Sequence, residues 1–231
     1  MNTDFLGPQI LALPVLLFAI VIHEFAHAYT AFLAGDDTAA AQGRLTLNPI
    51  SHVDPFGTIL VPLMLYLSNT GFMIGWARPV PVNPLRFRSS EWDIFVSLAG
   101  PGSNFVLAAI AAILLKIAMV AGLFDVGDVE AAVAVMVLRY GKPQPLALLL
   151  LYFITINIVL GLFNLIPIPP LDGSHVLYRL LASSGSTLAD RYAALQPYGF
   201  FILILILISP VGKVFSWIVA VCISFVLKFV L

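Results

Sequence analysis

Residues 8–34 read PQILALPVLLFAIVIHEFAHAYTAFLA, an apolar run long enough to cross a lipid bilayer as one helix. A spanning helix needs about 20 apolar residues. Of the 231 residues, 61% are hydrophobic and 10% are charged, and the mean hydropathy is +1.03. An ordinary soluble domain has roughly 25% charged residues. The composition therefore excludes a water-soluble globular protein.

Four further parts of the chain are similarly apolar, and the polar stretches between them are too short to form a domain with its own core. The pattern predicts an all-α polytopic membrane protein with about five transmembrane helices, in which residues 1–231 form a single membrane-embedded domain. We expect core helices at about 8–34, 91–124 and 145–170, an apolar segment at 56–74, and C-terminal helices at about 197–209 and 211–230.

The charge balance limits the possible partners. The formal net charge is −1, from 11 basic and 12 acidic residues. The chain has no cationic stripe with which to hold a phosphate backbone, so nucleic-acid binding is not expected. Its partners should instead be the bilayer and the proteins or peptides embedded in it.

The first apolar run is interrupted by His23-Glu24-Phe25-Ala26-His27, which has the pattern H-E-x-x-H. Positions i and i+4 lie on one face of a helix, so both imidazoles can bind one cation. Glu24 is turned about 100° around the helix axis and could reach a water at the metal as a general base. An alternative is that the three side chains form a structural cluster or a proton relay.

A catalytic zinc site has three protein ligands and one open position, so the motif requires a third ligand elsewhere. Asp172 is the best candidate, because it is the acidic residue nearest to an apolar context. It lies in residues 164–173, which read NLIPIPPLDG. The prolines cannot continue a helix, so the backbone can unwind and turn the Asp172 carboxylate inward. Of the other histidines, we expect His52 to pair with Asp54 or to approach the metal, whereas His175 could support Asp172.

Three motifs, taken in their order along the chain, resemble those of the site-2 protease family of intramembrane zinc metalloproteases. They are H-E-x-x-H in the first run, Gly100-Pro101-Gly102-Ser103-Asn104 in the third, and residues 164–173. The resemblance implies one zinc ion per chain. It also assigns the site residues: His23, His27 and Asp172 as zinc ligands, Glu24 as general base, and Asn164 as a polar residue that holds the oxyanion or the substrate.

The resemblance has further implications for fold and activity. Members of the family cut substrate helices within the bilayer, and they carry a membrane-associated β-hairpin, which we expect at about residues 72–90. The chain resembles a minimal member of this family, one without accessory domains, because no segment is long enough for a PDZ or nucleotide-sensing domain. The small residues of the middle motif allow close helix approach, and Asn104 could bond across to a motif helix.

A shared metal ion constrains the topology. The helices at 8–34 and 145–170 must run parallel if His23, His27 and Asp172 lie at one depth. Parallel helices are separated by an odd number of membrane crossings, so only one of the two apolar segments between them can cross. The segment 56–74 is the weaker candidate for a spanning helix, so we expect it to be re-entrant. Lysines and arginines then divide seven to three, with the excess on the cytoplasmic side: Arg44, Arg78, Arg86, Arg88, Arg179, Arg191 and Lys228 against Arg139, Lys142 and Lys213.

The sequence thus predicts a multi-pass protein of the bacterial plasma membrane, with its N-terminus outside and its active site nearer the cytoplasmic face. The predicted function is that of an intramembrane zinc metalloendopeptidase, which hydrolyses peptide bonds of transmembrane substrate helices through a zinc-activated water. Two alternatives stay open: a membrane transporter of metal ions or protons, and a catalytically silent homologue that binds helices without cutting them.

Overall fold

The computed structural model describes residues 8–68, 75–138, 144–185 and 187–231. The long apolar runs of the sequence form its long helices, and short helical turns and extended segments join them. Over the described residues the helices are, in chain order, α1 (Ala12–Ala34), α2 (Thr38–Ala41), α3 (Val61–Leu67), α4 (Trp92–Val120), α5 (Val126–Leu138), α6 (Pro145–Asn164), α7 (Asp172–Ser183), α8 (Leu188–Ala193), α9 (Gly199–Ile208) and α10 (Pro210–Val230).

The core is a bundle of α1, α4 and α6, which pack against one another. Its centre contains fully buried leucine and isoleucine side chains, among them Leu115, Leu148 and Ile154. Small residues between helices let the backbones approach closely, which is how helices associate in a bilayer. In this cluster α4 contributes the buried alanines Ala108, Ala111, Ala112 and Ala118.

Within the described residues, five helical stretches are long and apolar enough to cross a membrane. The outer surface is also apolar, with large side chains such as Phe201 and Phe225 exposed. For the described part of the chain, the prediction of an all-helical, multi-pass membrane protein is therefore confirmed. The stretches are Ala12–Ala34, Trp92–Val120, Pro145–Asn164, Leu188–Ile208 and Pro210–Val230.

The chain between α1 and α4 leaves the bundle and returns to the same end. The amide of Arg88, shortly before α4, donates to the carbonyl of Ala34 at the end of α1, at 2.8 Å. Between them lies the helical stretch Pro55–Leu67, which is about 20 Å long at 1.5 Å per residue. It is shorter than the roughly 30 Å hydrocarbon layer, and its re-entrant position in a membrane stays a prediction.

The prediction of a β-hairpin at about residues 72–90 is wrong for the part that the structure describes, which begins at residue 75. Residues 75–83 form neither helix nor strand, and no strand is present from 75 to 90. Their amides bond to other elements instead, as when Trp76 N donates at 3.1 Å to the carbonyl of Gly57, which lies in the helical stretch Pro55–Leu67. The physical reason is that proline lacks the N–H that a strand ladder needs, and Pro79, Pro81 and Pro84 interrupt this segment.

Helix α6 ends at Asn164 rather than at the predicted residue 170. Pro167, Pro169 and Pro170 follow, and none of them can donate the backbone hydrogen bond that would extend the helix. A tight turn, in which Leu171 N donates to Ile168 O at 3.0 Å, leads directly into α7. Because α7 packs against α4, the turn returns the first residue of α7 to the bundle.

Candidate metal centre

Three side chains from opposite ends of the chain meet at one point in the bundle. The Nε2 atoms of His23 and His27 lie 3.1 Å apart, and they lie 3.1 and 3.3 Å from Oδ2 of Asp172. Both imidazoles come from one face of α1, and the carboxylate comes from the first residue of α7. Within the described residues, this is the one cluster of three or more His, Cys, Asp or Glu side chains that could hold a metal ion.

Hydrogen bonds at the far side of each imidazole fix its tautomer. His27 Nδ1 lies 2.7 Å from the Val96 carbonyl, and His23 Nδ1 lies 2.7 Å from Oδ1 of Asn104. Both partners are acceptors, so each Nδ1 carries the proton and donates it. In a neutral imidazole the other nitrogen then has a free lone pair. Each Nε2 therefore presents a lone pair to the point where the three side chains meet.

The donor set fits a zinc ion. Asp172 Oδ2 is buried and accepts no hydrogen bond, so two nitrogen lone pairs and one carboxylate oxygen face each other without a proton between them. Such a contact between acceptors is unfavourable unless a cation lies among them. Tetrahedral zinc with bonds of about 2.1 Å would separate its ligand atoms by about 3.4 Å. The observed separations of 3.1 to 3.3 Å are close to that value.

The carboxylate of Asp172 completes a donor set of a known type. Its side chain is 20% exposed and lies beside the two buried imidazoles. Coordination by a carboxylate and two neutral imidazoles is common in catalytic zinc sites.

Two glycines permit the close approach of the three elements. A Cβ at Gly100 of α4 would collide with Nε2 of His27 and would lie 2.6 Å from Nε2 of His23. A Cβ at Gly173 would collide with the Leu165 carbonyl at the end of α6. Gly100 thus lets α4 cover the imidazoles, and Gly173 lets α7 begin against the end of α6. The sequence predicts close helix packing at Gly100, and the structure shows that the groups packed against it are the histidines.

Glu24 is held by the non-helical segment of residues 75–83. The amide of Val80 donates to Glu24 Oε2 at 2.8 Å. Arg44, which is 8% exposed, holds the same segment, because its Nη2 donates to the carbonyls of Arg78 and Pro79 at 2.7 and 3.3 Å. The Glu24 carboxylate is therefore oriented by a backbone amide that a buried arginine keeps in place.

The other polar candidates have hydrogen-bond partners outside the three-residue cluster. Asn164 Nδ2 donates to the Leu160 carbonyl of its own helix at 3.1 Å. His52 is buried, and its Nε2 lies 2.8 Å from the Thr46 carbonyl. The expected pair of His52 with Asp54 is not found, because Asp54 caps the next helical turn. His175 is exposed on α7 and is absent from the three-residue cluster.

Sequence reasoning missed some of the residues around the cluster. Asn104 was expected to bond across to a motif helix, and this expectation is confirmed by its contact with His23. Asn157 of α6 and Arg44 were not singled out as parts of the site. For Asn157 the sequence did contain a usable signal. Its side-chain amide lies in the middle of an apolar span, and a polar group there needs a polar partner.

Comparison with known proteins links this arrangement to peptidases. Residues 11–207 match the family described as Peptidase family M50. The chain is 39% identical to the "Putative zinc metalloprotease YwhC" of Bacillus subtilis strain 168 over 203 residues, which cover 87% of this chain and 82% of the relative. No solved structure is significantly similar to the chain.

Mycobacterial relatives carry a related name. The chain is 31% identical to the "Putative zinc metalloprotease Rip2" of Mycolicibacterium smegmatis over 211 residues, which cover 90% of this chain and 70% of the relative. It is 33% identical to Rip2 of Mycobacterium tuberculosis H37Rv over 161 residues, which cover 70% of this chain and 53% of that relative.

Proposed function

This chain belongs to peptidase family M50, the site-2 protease family of zinc metalloproteases, and from that premise we propose that it hydrolyses peptide bonds of transmembrane substrate helices. One observation carries the proposal: His23, His27 and Asp172 place three metal-binding atoms within 3.3 Å of one another in a bundle of apolar helices. In this proposal these three residues hold one zinc ion per chain.

The protein's own residues have separate tasks in the reaction. Zinc, when bound, supplies a Lewis acid that polarises the scissile carbonyl and acidifies water. Glu24 accepts a proton from the attacking water and returns it to the leaving amine, with Val80 N–H orienting its carboxylate. Asn164 is proposed as a donor to the developing oxyanion. Rotation of its side chain would release the amide from Leu160 for this task.

The first experiment separates metal binding from proton transfer. The Glu24→Gln protein should keep its zinc, yet it should cleave a single-helix reporter in proteoliposomes at least about 100-fold more slowly, because the general base is lost. Glu130→Gln is the matched control, since Glu130 is exposed on α5, and it should cleave normally. Full cleavage by Glu24→Gln would exclude Glu24 as the base.

The second experiment tests the ligand set by metal analysis. Asp172→Ala should purify with little zinc, because two imidazoles alone leave the ion short of its third protein ligand. Asp190→Ala, which removes an exposed carboxylate from α8, should retain stoichiometric zinc. A chelator should abolish cleavage by the wild-type protein, and added Zn²⁺ should restore it. Wild-type zinc content in the Asp172→Ala protein would contradict the proposed site.

A further inference from the structure

We propose that Asn157 of α6 is a positioning residue that, through Asn104 of α4, sets the tautomer of His23. The inference rests on the proposed function, because it concerns a ligand of the proposed zinc site. It gives α6 a part in the metal centre although none of the three proposed ligands lies on that helix. It is carried by a chain of hydrogen bonds in which every donor and acceptor can be assigned.

The chain begins at a backbone carbonyl. The side-chain amide of Asn157 lies 2.8 Å from the Phe153 carbonyl, one turn earlier in α6. A carbonyl can only accept, so the Asn157 atom that faces it is the amide nitrogen, Nδ2. Its oxygen, Oδ1, must then point away from its own helix and towards α4.

The second amide is oriented by the first. Asn157 Oδ1 lies 2.9 Å from the side chain of Asn104, and an oxygen acceptor there requires the Nδ2 atom of Asn104. The carbonyl of Ala19 in α1, at 3.4 Å from the same nitrogen, requires a donor as well. Asn104 therefore turns its Oδ1 towards His23, at 2.7 Å from Nδ1.

The result is a single tautomer for His23. Because Asn104 offers only an acceptor, His23 must hold its proton at Nδ1, and the lone pair at Nε2 faces Asp172. Both asparagines are 0% exposed, so bulk water cannot replace a lost partner. Turning either amide over would set oxygen against oxygen, and buried polar groups without partners are costly.

The two histidines differ in what orients them. His27 bonds to the main-chain carbonyl of Val96, which no side-chain substitution removes. His23 depends on two side-chain amides from two other helices. A change at Asn157 should therefore alter His23 and leave the tautomer of His27 as it is, which provides an internal control.

Nitrogen NMR of the metal-free protein in alkaline buffer, where neutral imidazoles predominate, gives a readout that needs neither zinc nor activity. The protein is labelled with ¹⁵N in its histidine rings. In the wild-type protein both His23 and His27 should be protonated at Nδ1. In Asn157→Leu, His23 should become a mixture of tautomers, and zinc affinity should fall about 10- to 100-fold, as is typical when the residue behind a ligand is lost. A neutral wild-type His23 that carries its proton at Nε2 rather than at Nδ1 would overturn the inference.

A second variant covers the case in which Asn157→Leu does not fold. In Asn157→Ser the hydroxyl can still bond to the Phe153 carbonyl, as serine commonly does within helices, but it is too short to reach Asn104. It should show the same mixed His23 tautomer as Asn157→Leu. A single Nδ1–H tautomer of His23 in a folded Asn157→Ser protein, with wild-type zinc affinity, would also overturn the inference.

A rescue variant tests the route through Asn104. In Asn157→Leu/Asn104→Asp, the carboxylate offers an oxygen to His23 Nδ1 in either orientation, so it no longer needs Asn157. The double variant should regain the Nδ1–H tautomer and most of the zinc affinity. A merely structural role for Asn157 predicts no such recovery, since the double variant restores no contact at position 157.

Ile154→Ala is the matched structural control. Ile154 is 0% exposed and lies on α6 near Asn157, so its truncation should lower the unfolding temperature without changing the His23 tautomer. A mixed tautomer in Ile154→Ala would overturn the inference, because general loosening of α6 would then explain the effect. If the tautomers follow the expected pattern but no variant binds zinc or cleaves substrate, the proposed function fails and the role of Asn157 stands.

Discussion

The side chain of residue 100 is a single hydrogen atom, which lets α4 lie directly against the imidazoles of α1. A methyl group there would overlap His27 Nε2 and press on His23. Metal ligands tolerate only small displacements, because productive bond lengths vary by about 0.2 Å. The identity of residue 100 therefore controls the geometry of two proposed ligands that lie on another helix.

Gly100→Ala should lower zinc affinity at least about tenfold, because the new methyl group displaces the imidazoles. Metal analysis after dialysis against a zinc buffer would measure the loss. Gly102→Ala is the matched control on the same helix, since a Cβ at Gly102 has no neighbour within 4 Å. Equal zinc affinity in the two variants would contradict the steric role of Gly100.

Asp36 is a second residue whose effect can be tested, here through pH. It is 1% exposed, and its carboxylate accepts from the Asn83 amide at 2.6 Å and from the Thr38 amide at 3.0 Å. Burial raises the pKa of Asp36, but these hydrogen bonds and the positive charge of Arg86 outweigh it and lower the net pKa. The ionised carboxylate therefore ties residue 83 to the loop that follows α1.

The pH dependence of stability follows from the sign of this shift. A carboxyl group whose pKa is lowered by folding stabilises the protein fully above its unfolded pKa, near 4, and loses this effect as pH falls towards the folded pKa. Asp36→Asn should be less stable than the wild type at pH 7, by about 1–2 kcal/mol. Unfolding curves in detergent should converge below pH 4, whereas a constant difference at all pH values would contradict the assignment.

At the scale of elements, the non-helical segment of residues 75–83 lies where the sequence predicts a hairpin. It is fastened by side chains rather than by a strand partner, with Arg44 on the carbonyls of Arg78 and Pro79. The next amide, that of Val80, is the one that holds Glu24. Arg44 and the proposed general base are thus connected through three consecutive residues of the segment.

Arg44→Ala should lower kcat about 10- to 100-fold while zinc content and KM stay near their wild-type values, because Glu24 loses its fixed orientation. Cleavage kinetics on the reporter helix would measure both constants. Arg78→Ala removes the same charge nearby from an exposed side chain and keeps the backbone carbonyl, so it should cleave normally. A rise in KM alone in Arg44→Ala would assign the residue to substrate binding instead.

At the scale of the whole molecule, the bundle arranges the candidate spans so that α1 and α6 both end on the side of the metal centre. The bond between Arg88 N and Ala34 O returns the intervening segment to that side. We therefore keep the proposal that the N-terminus is outside and that the metal lies nearer the cytoplasm, as the charge distribution favours.

Cysteine labelling tests this topology, because Cys222 is the sole cysteine of the sequence and can first be replaced by serine. Exposed positions 42, 89, 130 and 184 would then carry single cysteines. A membrane-impermeant thiol reagent added to intact cells should label Glu130→Cys only. Gln42→Cys, Ser89→Cys and Ser184→Cys should react after permeabilisation, whereas opposite sides for positions 42 and 89 would mean that the α3 segment crosses the membrane.

The sequence by itself determined the apolar spans, the H-E-x-x-H face and the break after Asn164. These features depend on the apolar length of a run, on the i, i+4 repeat of a helix and on the missing N–H of proline. Each of these is a property of one continuous stretch of sequence. The third candidate ligand could also be chosen, because few acids lie near an apolar run.

Only the tertiary structure decided which groups surround these residues. His23 meets Asn104 across 81 positions, Asn104 meets Asn157 across 53, and Val80 meets Glu24 across 56. Such hydrogen bonds leave no local pattern, because they depend on how closely α4 approaches α1 and α6 and on the one amide orientation that satisfies every buried partner. The position of residues 75–83 was decided in the same way, by the hydrogen bonds of Arg44 and Glu24 from distant parts of the chain.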